Sequence, residues 1–177
     1  MKKTVSIVCV MLLLCACLFS CAPNLEPNPQ INEPEEIYGL QIGMRYGEWI
    51  EQRSEDDFDF MEYSLFEGDQ SDIVIVKTSH YFLNTTDPDN PIFGGGEVSK
   101  IWSCEKPPER SKAYLKKYVH EGMTFAELVA IAGIPERDVG SGVSIIVFSL
   151  KGGDVLRTWW TPCEDGVSDC LQKFEFS

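Results

Sequence analysis

Apolar positions between residues 122 and 135 follow the period of an amphipathic helix. The residues that share one face of this helix are Phe125, Leu128, Val129 and Ala132. The pattern therefore predicts a helix from Phe125 to about Ala132. Thr124 and Glu127 have the spacing of a capping box, in which each side chain accepts from the other residue's backbone N–H. Gly133 then offers a left-handed cap, and Pro135 stops the helix.

Downstream of this helix, β-branched and aromatic residues cluster in three runs that predict strands. The first two runs, Val143 to Leu150 and Val155 to Trp160, flank Lys151-Gly152-Gly153-Asp154, which is typical of a hairpin turn. A third strand is predicted from Cys170 to Phe176. The pattern thus predicts a helix followed by three antiparallel strands, with the helix covering one face of the sheet.

The same pattern occurs earlier in the chain. Gly43-Met44-Arg45-Tyr46-Gly47-Glu48-Trp49-Ile50 precedes Gly122–Val129 by 79 residues and shares Gly-Met, an aromatic residue, Glu and two apolar residues. Two later stretches match in the same order, Tyr63–Leu65 with Phe148–Leu150 and Val98–Ile101 with Leu171–Phe174. Three ordered matches predict a tandem duplication. We therefore expect an α+β fold of two helix-plus-three-stranded antiparallel repeats, the first at residues 37–106 and the second at residues 107–177, where residues 107–119 form a connector.

The first residues have the form of a bacterial export signal. Lys2 and Lys3 precede an apolar run, too short for a comfortable membrane span, that ends before Cys21. Leu18-Phe19-Ser20-Cys21 resembles a lipobox, so residues 1–20 are predicted to be a lipoprotein signal peptide and Cys21 the lipidated residue. Leu14-Cys15-Ala16-Cys17 is a second candidate site, and an ordinary cleaved signal without lipid remains an alternative.

Residues 21–36 are predicted to be the lipidated cysteine and a flexible or disordered linker, because residues 22–36 contain four Pro, three Asn and four Glu. Loss of Lys2 and Lys3 with the signal takes the formal charge from −13 to −15. Such an acidic chain argues against nucleic acid as a partner and against a flat association with anionic lipid. Contact with the membrane is therefore expected through the lipid anchor only.

Three cysteines remain beyond the signal and the lipidation site. Six residues separate Cys163 from Cys170, and a disulfide between them would stabilise the protein by ~2–3 kcal/mol in an oxidising compartment. Cys104 is then expected to be a half-buried thiol. A zinc site made by the three cysteines is a weaker alternative, because their spacing is wrong and histidine is scarce.

Taken together, these motifs resemble two known groups of proteins. A lipobox, Gly-Met-Thr-x-x-Glu-Leu, Gly-Ile-Pro and a Gly-Gly-Asp hairpin resemble the SmpA/OmlA (BamE-like) envelope lipoproteins. The tandem arrangement resembles the β-lactamase inhibitory protein (BLIP)-like fold. Both resemblances imply a protein that works by binding other proteins. Arg45 departs from the pattern, because it stands where Thr124 caps the second helix.

The sequence shows no grouping of residues that predicts catalysis, and we expect no enzyme activity, no cofactor and no metal. Gly140-Ser141-Gly142 lacks the frame of a nucleophile elbow. His80 and His120 are expected to have structural or solvent roles. The oxygen-rich stretch Asp87-Pro88-Asp89-Asn90 is a weak calcium alternative, since it lacks the glycine and terminal glutamate of an EF-hand loop.

Aromatic residues on the predicted strands suggest a binding surface. Residues predicted to lie on an open sheet face and to contact a partner are Lys100, Trp102, Arg157, Trp159 and Trp160. The alternative is that these rings pack between the two repeats. We expect a lipid-anchored protein of the bacterial envelope, at the outer membrane if the host has two, that binds another envelope or extracellular protein. A lipoprotein that binds a small molecule or cell-wall fragment in an apolar pocket is the alternative.

Overall fold

A computed structural model of the chain describes residues 29–50, 58–60, 63–79, 82–83, 93–94, 96–139 and 145–177. The helices in these ranges are α1 (Tyr46–Ile50), α2 (Lys112–Tyr118) and α3 (Phe125–Ala132). The strands are β1 (Ile31–Asn32), β2 (Glu36–Ile37), β3 (Leu40–Gln41), β4 (Phe58–Phe60), β5 (Tyr63–Glu67), β6 (Asp72–Ser79), β7 (Phe82–Leu83), β8 (Phe93–Gly94), β9 (Glu97–Glu105), β10 (Arg137–Asp138), β11 (Ile145–Ser149), β12 (Val155–Pro162) and β13 (Asp169–Phe176). None of the described helices is long and apolar enough to cross a bilayer.

Two antiparallel sheets carry the fold. Sheet 1 has the order β1-β9-β6-β5-β4, and sheet 2 has the order β10-β11-β12-β13. Two small pairs, β2–β3 and β7–β8, accompany them. Each large sheet contains three successively paired antiparallel strands, which we call its meander: β5-β6-β9 in the first, where β7 and β8 come between β6 and β9 in the chain, and β11-β12-β13 in the second. The three strands predicted after α3 are confirmed, and their described ends differ from the prediction by one or two residues. Residues 143 and 144 of the first predicted strand lie outside the described ranges.

The repeated Gly-Met dipeptide makes the same local structure at both places. Gly43 and Gly122 have φ angles of 86° and 88°, which only glycine adopts without strain. Gly43 and Met44 exchange backbone hydrogen bonds with Val98 on β9 at 2.8 Å. In the same way, the segment Gly122–Met123 exchanges hydrogen bonds with Leu171 on β13 at 2.8 and 2.7 Å. The dipeptide therefore turns the chain and fixes the start of each helix to the last strand of its meander.

α3 lies between the two sheets. The ring of Phe125 is 4.6 Å from that of Tyr63 on sheet 1 and 5.2 Å from that of Trp160 on sheet 2, measured between centroids. The helix residues buried in this layer are Phe125, Ala126, Leu128, Val129, Ala130 and Ile131. They occupy more of the helix surface than the single apolar face that the sequence predicted, while Glu127 stays exposed. A helix with so wide an apolar surface is covered by other elements on more than one side.

The other face of sheet 1 is covered by α1 and by the β2–β3 pair. Trp49 packs at 5.0 Å from the ring of Phe66, and its indole N–H donates to the carbonyl of Tyr38 at 3.1 Å. Leu40 is fully buried in the same cluster. The layers therefore follow the order α1, sheet 1, α3, sheet 2. Sheet 1 has both faces covered, and sheet 2 has α3 on one face.

An ion pair and a hydrogen bond join the two sheets at one corner. Lys77 on β6 lies 2.9 Å from the carboxylate of Asp169 at the start of β13. The backbone N–H of Asp169 donates to the hydroxyl of Tyr63 at 3.0 Å, and the Lys77 ammonium is 5.0 Å from the centroid of the Tyr63 ring. These contacts link β6 of sheet 1 to the start of β13 in sheet 2.

The predicted fold class is wrong. The described part of the chain is mostly strand, with helices of five, seven and eight residues, and not an α+β pair of equivalent repeats. The environments of the two repeated aromatics also differ, because Tyr46 covers one face of sheet 1 while Phe125 is enclosed by both sheets. The Gly-Met motif specifies a turn and a helix start. It carries no information about what covers the far side of that helix.

Two segments that were predicted to have no regular structure contain a strand and a helix. β1 lies inside the predicted linker, where Ile31 pairs with Cys104 and Asn32 with Ser103. The stretch from 107 to 119, expected to be a connector, contains α2. Its N-cap is Ser111, whose hydroxyl accepts from the backbone N–H of Tyr114.

Candidate protein-binding face

Alternation along β12 places its side chains on opposite sides of sheet 2. Leu156 and Thr158 point inward and are fully buried. The Thr158 hydroxyl donates to the carbonyl of Ile146 at 3.0 Å and accepts from the indole N–H of Trp160 at 2.9 Å. Arg157 and Trp159 consequently point away from α3, on the side that no described element covers.

Neighbouring strands complete this outer surface. In the sheet register, Trp159 lies between Ile145 on β11 and Lys173 on β13. The residues that share the outward side are Arg137, Ile145, Val147, Ser149, Val155, Arg157, Trp159, Lys173 and Glu175, and we call them the outer face of sheet 2. Lys173 lies over the Trp159 ring, with its ammonium 4.6 Å from the ring centroid. Val147 on this side is only 2% exposed, so the outer face is not equally open along its whole length.

The outer face of sheet 2 carries more positive than negative groups, although the chain as a whole has a formal charge of −13. Arg157 donates to the hydroxyl of Ser177 at 3.0 Å and stays exposed. Lys173 pairs with Glu175 at 2.7 Å, and Arg137 pairs with its neighbour Glu136 at 3.3 Å. These pairs are exposed and contribute at most about 1 kcal/mol each, so a partner's carboxylates can compete with them.

Trp102 and Lys100 do not join this face, which corrects their predicted role. Trp102 is 5% exposed and belongs to the layer between the sheets, 6.1 Å from the ring of Tyr63. Lys100 is partly exposed on sheet 1, where its ammonium pairs with the carboxylate of Glu33. The reason is that α3 covers the side of β9 from which Trp102 projects. The Trp102 ring therefore packs in the interior, as in the alternative in which the aromatic rings pack between the two halves of the chain.

Trp160 also faces inward. Its ring makes an edge-to-face contact with Phe125 and is partly buried against the central core. A shift of register between Trp159 and Trp160 marks an irregularity in the pairing of β12 with β13. Of the predicted contact residues, the structure therefore brings Arg157 and Trp159 together on one open face. Lys173, Ile145 and Arg137 were missed, although alternation on β10, β11 and β13 gives their side once the register is known.

The disulfide loop closes the end of the β12–β13 hairpin. Cys163 and Cys170 are bonded, with a Cα–Cα distance of 5.2 Å. Within the loop, the Asp165 carboxylate accepts from the backbone N–H groups of Ser168 and Val167 at 2.8 and 2.9 Å. These hydrogen bonds lower the pKa of Asp165 below its ordinary value. The third cysteine, Cys104, is a buried thiol between the sheets, and burial raises its pKa to about 11.

A cleft of about 560 Å³ opens between the start of β1, the segment after β9 and the end of α3. Its wall includes Gln30, Asn32, Lys106 and Arg110. The Arg110 guanidinium stacks on the ring of Tyr114 at 4.3 Å, and its buried Nε has no hydrogen-bond partner among the described residues. These polar and charged side chains differ from the apolar pocket expected of a small-molecule carrier.

Several residues weighed in the sequence lie outside the described ranges, among them Cys21, His80 and Asp87–Asn90. His120 is exposed, and its Nδ1 lies 3.0 Å from the carbonyl of Glu121. The described ranges hold no cluster of three or more His, Cys, Asp or Glu residues that could bind a metal ion.

Comparison with known proteins gives no relative for this chain. No protein-family model matches it, and neither a curated protein nor a solved structure does. The resemblance to BamE-like and BLIP-like proteins stays a prediction from short motifs.

Proposed function

We propose that the chain is a lipid-anchored protein of the bacterial cell envelope that binds another protein through the outer face of sheet 2, without catalysis. The observation that carries the proposal is the position of Trp159, which projects from the outward side of a central strand between Ile145 and Lys173. A large ring on a sheet face that no described element covers is costly to leave in water. Its capture by a partner is the simplest use for it.

The chemistry of this face fits an anchor surrounded by charge. Tryptophan buries 150–250 Å² at interfaces, so at ~25 cal/mol per Å² burial of the exposed part of Trp159 would supply a few kcal/mol. Arg157 and Lys173 beside it are suited to a partner's carboxylates. The expected partner therefore presents an apolar cap for the ring and acidic side chains around it.

The anchor at Cys21 would keep this face close to the membrane. Nine residues, Ala22 to Gln30, separate Cys21 from β1, and nine fully extended residues span at most ~30 Å. The folded part would therefore work within about one protein diameter of the lipid headgroups. A membrane protein, or another protein held at the same membrane, suits that reach.

Capture of partners from solubilised envelope tests the proposal. The full chain and its Trp159→Ala variant are used as bait, with Ile42→Ala as the matched control, because Ile42 is a large apolar residue that is 46% exposed on another surface. We expect a partner that is retained by the wild type and by Ile42→Ala and lost, by about tenfold or more, with Trp159→Ala. An identical set of captured proteins for all three baits would reject the outer face of sheet 2.

A further inference from the structure

The two meanders differ at the strand that ends each of them. In sheet 1, the far side of β9 takes an additional antiparallel strand, since β1 pairs there with Ser103 and Cys104. In sheet 2, β13 is the outermost strand. Leu171 bonds to Gly122–Met123 at the edge of β13 that faces away from β12. C-terminal to Leu171, no described backbone pairs with this edge.

The alternation of hydrogen-bonded and non-hydrogen-bonded pairs between β12 and β13 shows which backbone N–H and C=O groups of β13 point to the open edge. Val155 and Ser177 exchange both backbone hydrogen bonds at 2.9 Å. In an antiparallel ladder such pairs alternate, so Arg157 with Glu175 and Trp159 with Lys173 are also hydrogen-bonded pairs. The N–H and C=O groups of Phe174 and Phe176 therefore point away from β12, toward the open edge. An edge of this kind is a template for another strand.

We propose that β13 pairs with β13 of a second copy of this chain, antiparallel and centred on Phe174, so that the two sheets 2 become one continuous sheet. With this centre, Phe174 faces its own counterpart across a two-fold axis and exchanges the free backbone hydrogen bonds. A symmetric contact of this type closes on itself and stops at two copies.

The charges of the edge favour this register. A two-fold axis at Phe174 sets Lys173 of each copy opposite Glu175 of the other, so both cross-strand pairs have opposite charges. Both side chains are exposed and at present pair with each other along the strand at 2.7 Å. A shift of the axis by one residue, to Lys173 or Glu175, sets like charges opposite each other.

The inner side of the edge gains apolar burial from the same contact. Phe174 and Phe176 are only partly buried in a single copy, with their rings 5.9 Å apart in an edge-to-face arrangement. Pairing brings the two Phe174 rings next to each other and removes both from water. The outward side then carries two Trp159 rings on one sheet, which would double the surface offered to a partner.

Charge reversal on this edge provides the test, with the full chain purified in detergent and its association measured by sedimentation equilibrium. Lys173→Glu alone and Glu175→Lys alone each set like charges opposite each other in both cross-strand pairs. We expect each variant to weaken the dimer by about tenfold or more. The double variant K173E/E175K restores opposite charges and is expected to return the dissociation constant to within a few-fold of the wild type.

A second pair of variants tests the backbone. Phe174→Pro removes an N–H that the ladder points away from β12 and toward the open edge, whereas Phe174→Ala keeps it. The dimer is expected with Phe174→Ala and lost with Phe174→Pro, while both keep the far-ultraviolet circular dichroism of the wild type. The proposal is overturned if the wild-type chain is still monomeric in sedimentation equilibrium at about 100 times the bait concentration of the capture experiment. The proposal is also overturned if the single charge reversals leave the dissociation constant of the dimer unchanged. The same holds if the double variant does not restore it.

Discussion

Sheet 1 and sheet 2 contain similar meanders but have different surroundings. On sheet 1, four consecutive residues of β6, Ile73 to Val76, are fully buried, because α1 covers one face and α3 the other. On sheet 2, β12 alternates between buried Leu156 and Thr158 and the outward Arg157 and Trp159. Sheet 1 is thus a middle layer of the molecule, and sheet 2 is an outer layer.

This difference decides where a partner can bind. A middle layer must be apolar on both faces, so its aromatic residues, such as Trp102, serve packing. An outer layer keeps one face for water or for a partner, and there an aromatic residue such as Trp159 is unexpected. A tryptophan on a strand therefore packs in the core in sheet 1 and is open to a partner in sheet 2. The position of the sheet among the layers decides which of the two applies.

The largest expected effect is the loss of the ring that joins both layers. Phe125→Ala removes a side chain that is 1% exposed and touches Tyr63 on one sheet and Trp160 on the other. We expect the free energy of unfolding in urea to fall by ~3–5 kcal/mol, as for other enclosed phenylalanines.

Trp159→Ala is the matched control for that measurement. It removes a larger ring from the outer face, where the structure gives it water on one side, and should cost less than about 1 kcal/mol. Similar losses for the two variants would mean that the outer face is covered, and the contrast between the sheets would not hold.

A smaller expected effect is the pH dependence of stability that the buried thiol of Cys104 causes. Burial, and to a lesser degree the Asp72 carboxylate, raise the pKa of Cys104 from its ordinary value of 9.0 to about 11. A raised pKa means that the folded state keeps its proton longer than the unfolded chain does. The stability that depends on the protonated thiol is therefore complete below pH 9 and is lost as the pH rises toward 11.

Comparison of the wild type with Cys104→Ala isolates this contribution. The difference in free energy of unfolding between them should be constant from pH 7 to about 9 and should shrink between pH 9 and 11. Other groups that titrate in this range are common to both proteins. A difference that does not change up to pH 11 would show that the thiol is not enclosed between the sheets.

Local chemistry made much of the second half predictable. Thr124 and Glu127 form the capping box, with the Thr124 N–H donating to the Glu127 carboxylate at 2.7 Å. Glycines at 152 and 153 adopt φ angles of 93° and 85° in the hairpin turn. Such signals lie within a few residues of each other, so that neighbours in sequence are enough to specify them.

The order of the layers was not predictable in this way. Whether Trp102 faces solvent or α3 depends on where a helix more than twenty residues later in the chain packs, and alternation assigns sides without saying what covers them. Ala126 and Ala130 lie outside the predicted apolar face of α3, yet both are buried in the same core cluster as Trp102.

β1 and α2 were missed for a different reason. β1 is two residues long, lies among prolines and glutamates, and exists because the edge of β9 offers it partners. α2 buries only Leu115 fully, so its apolar period is weak. Pairing and docking form these elements, and neither has a strong local signal.

The most direct test of the account is hydroxyl-radical footprinting of the tryptophans, read out by mass spectrometry. In the purified protein, Trp159 should be oxidised readily and Trp102 should be protected until the protein unfolds. In intact envelopes, a bound partner should protect Trp159 and leave the exposed Ile42 as reactive as before. Equal protection of Trp159 and Trp102 in the purified protein would contradict an open sheet 2, and undiminished oxidation of Trp159 in the envelope would contradict its role in binding.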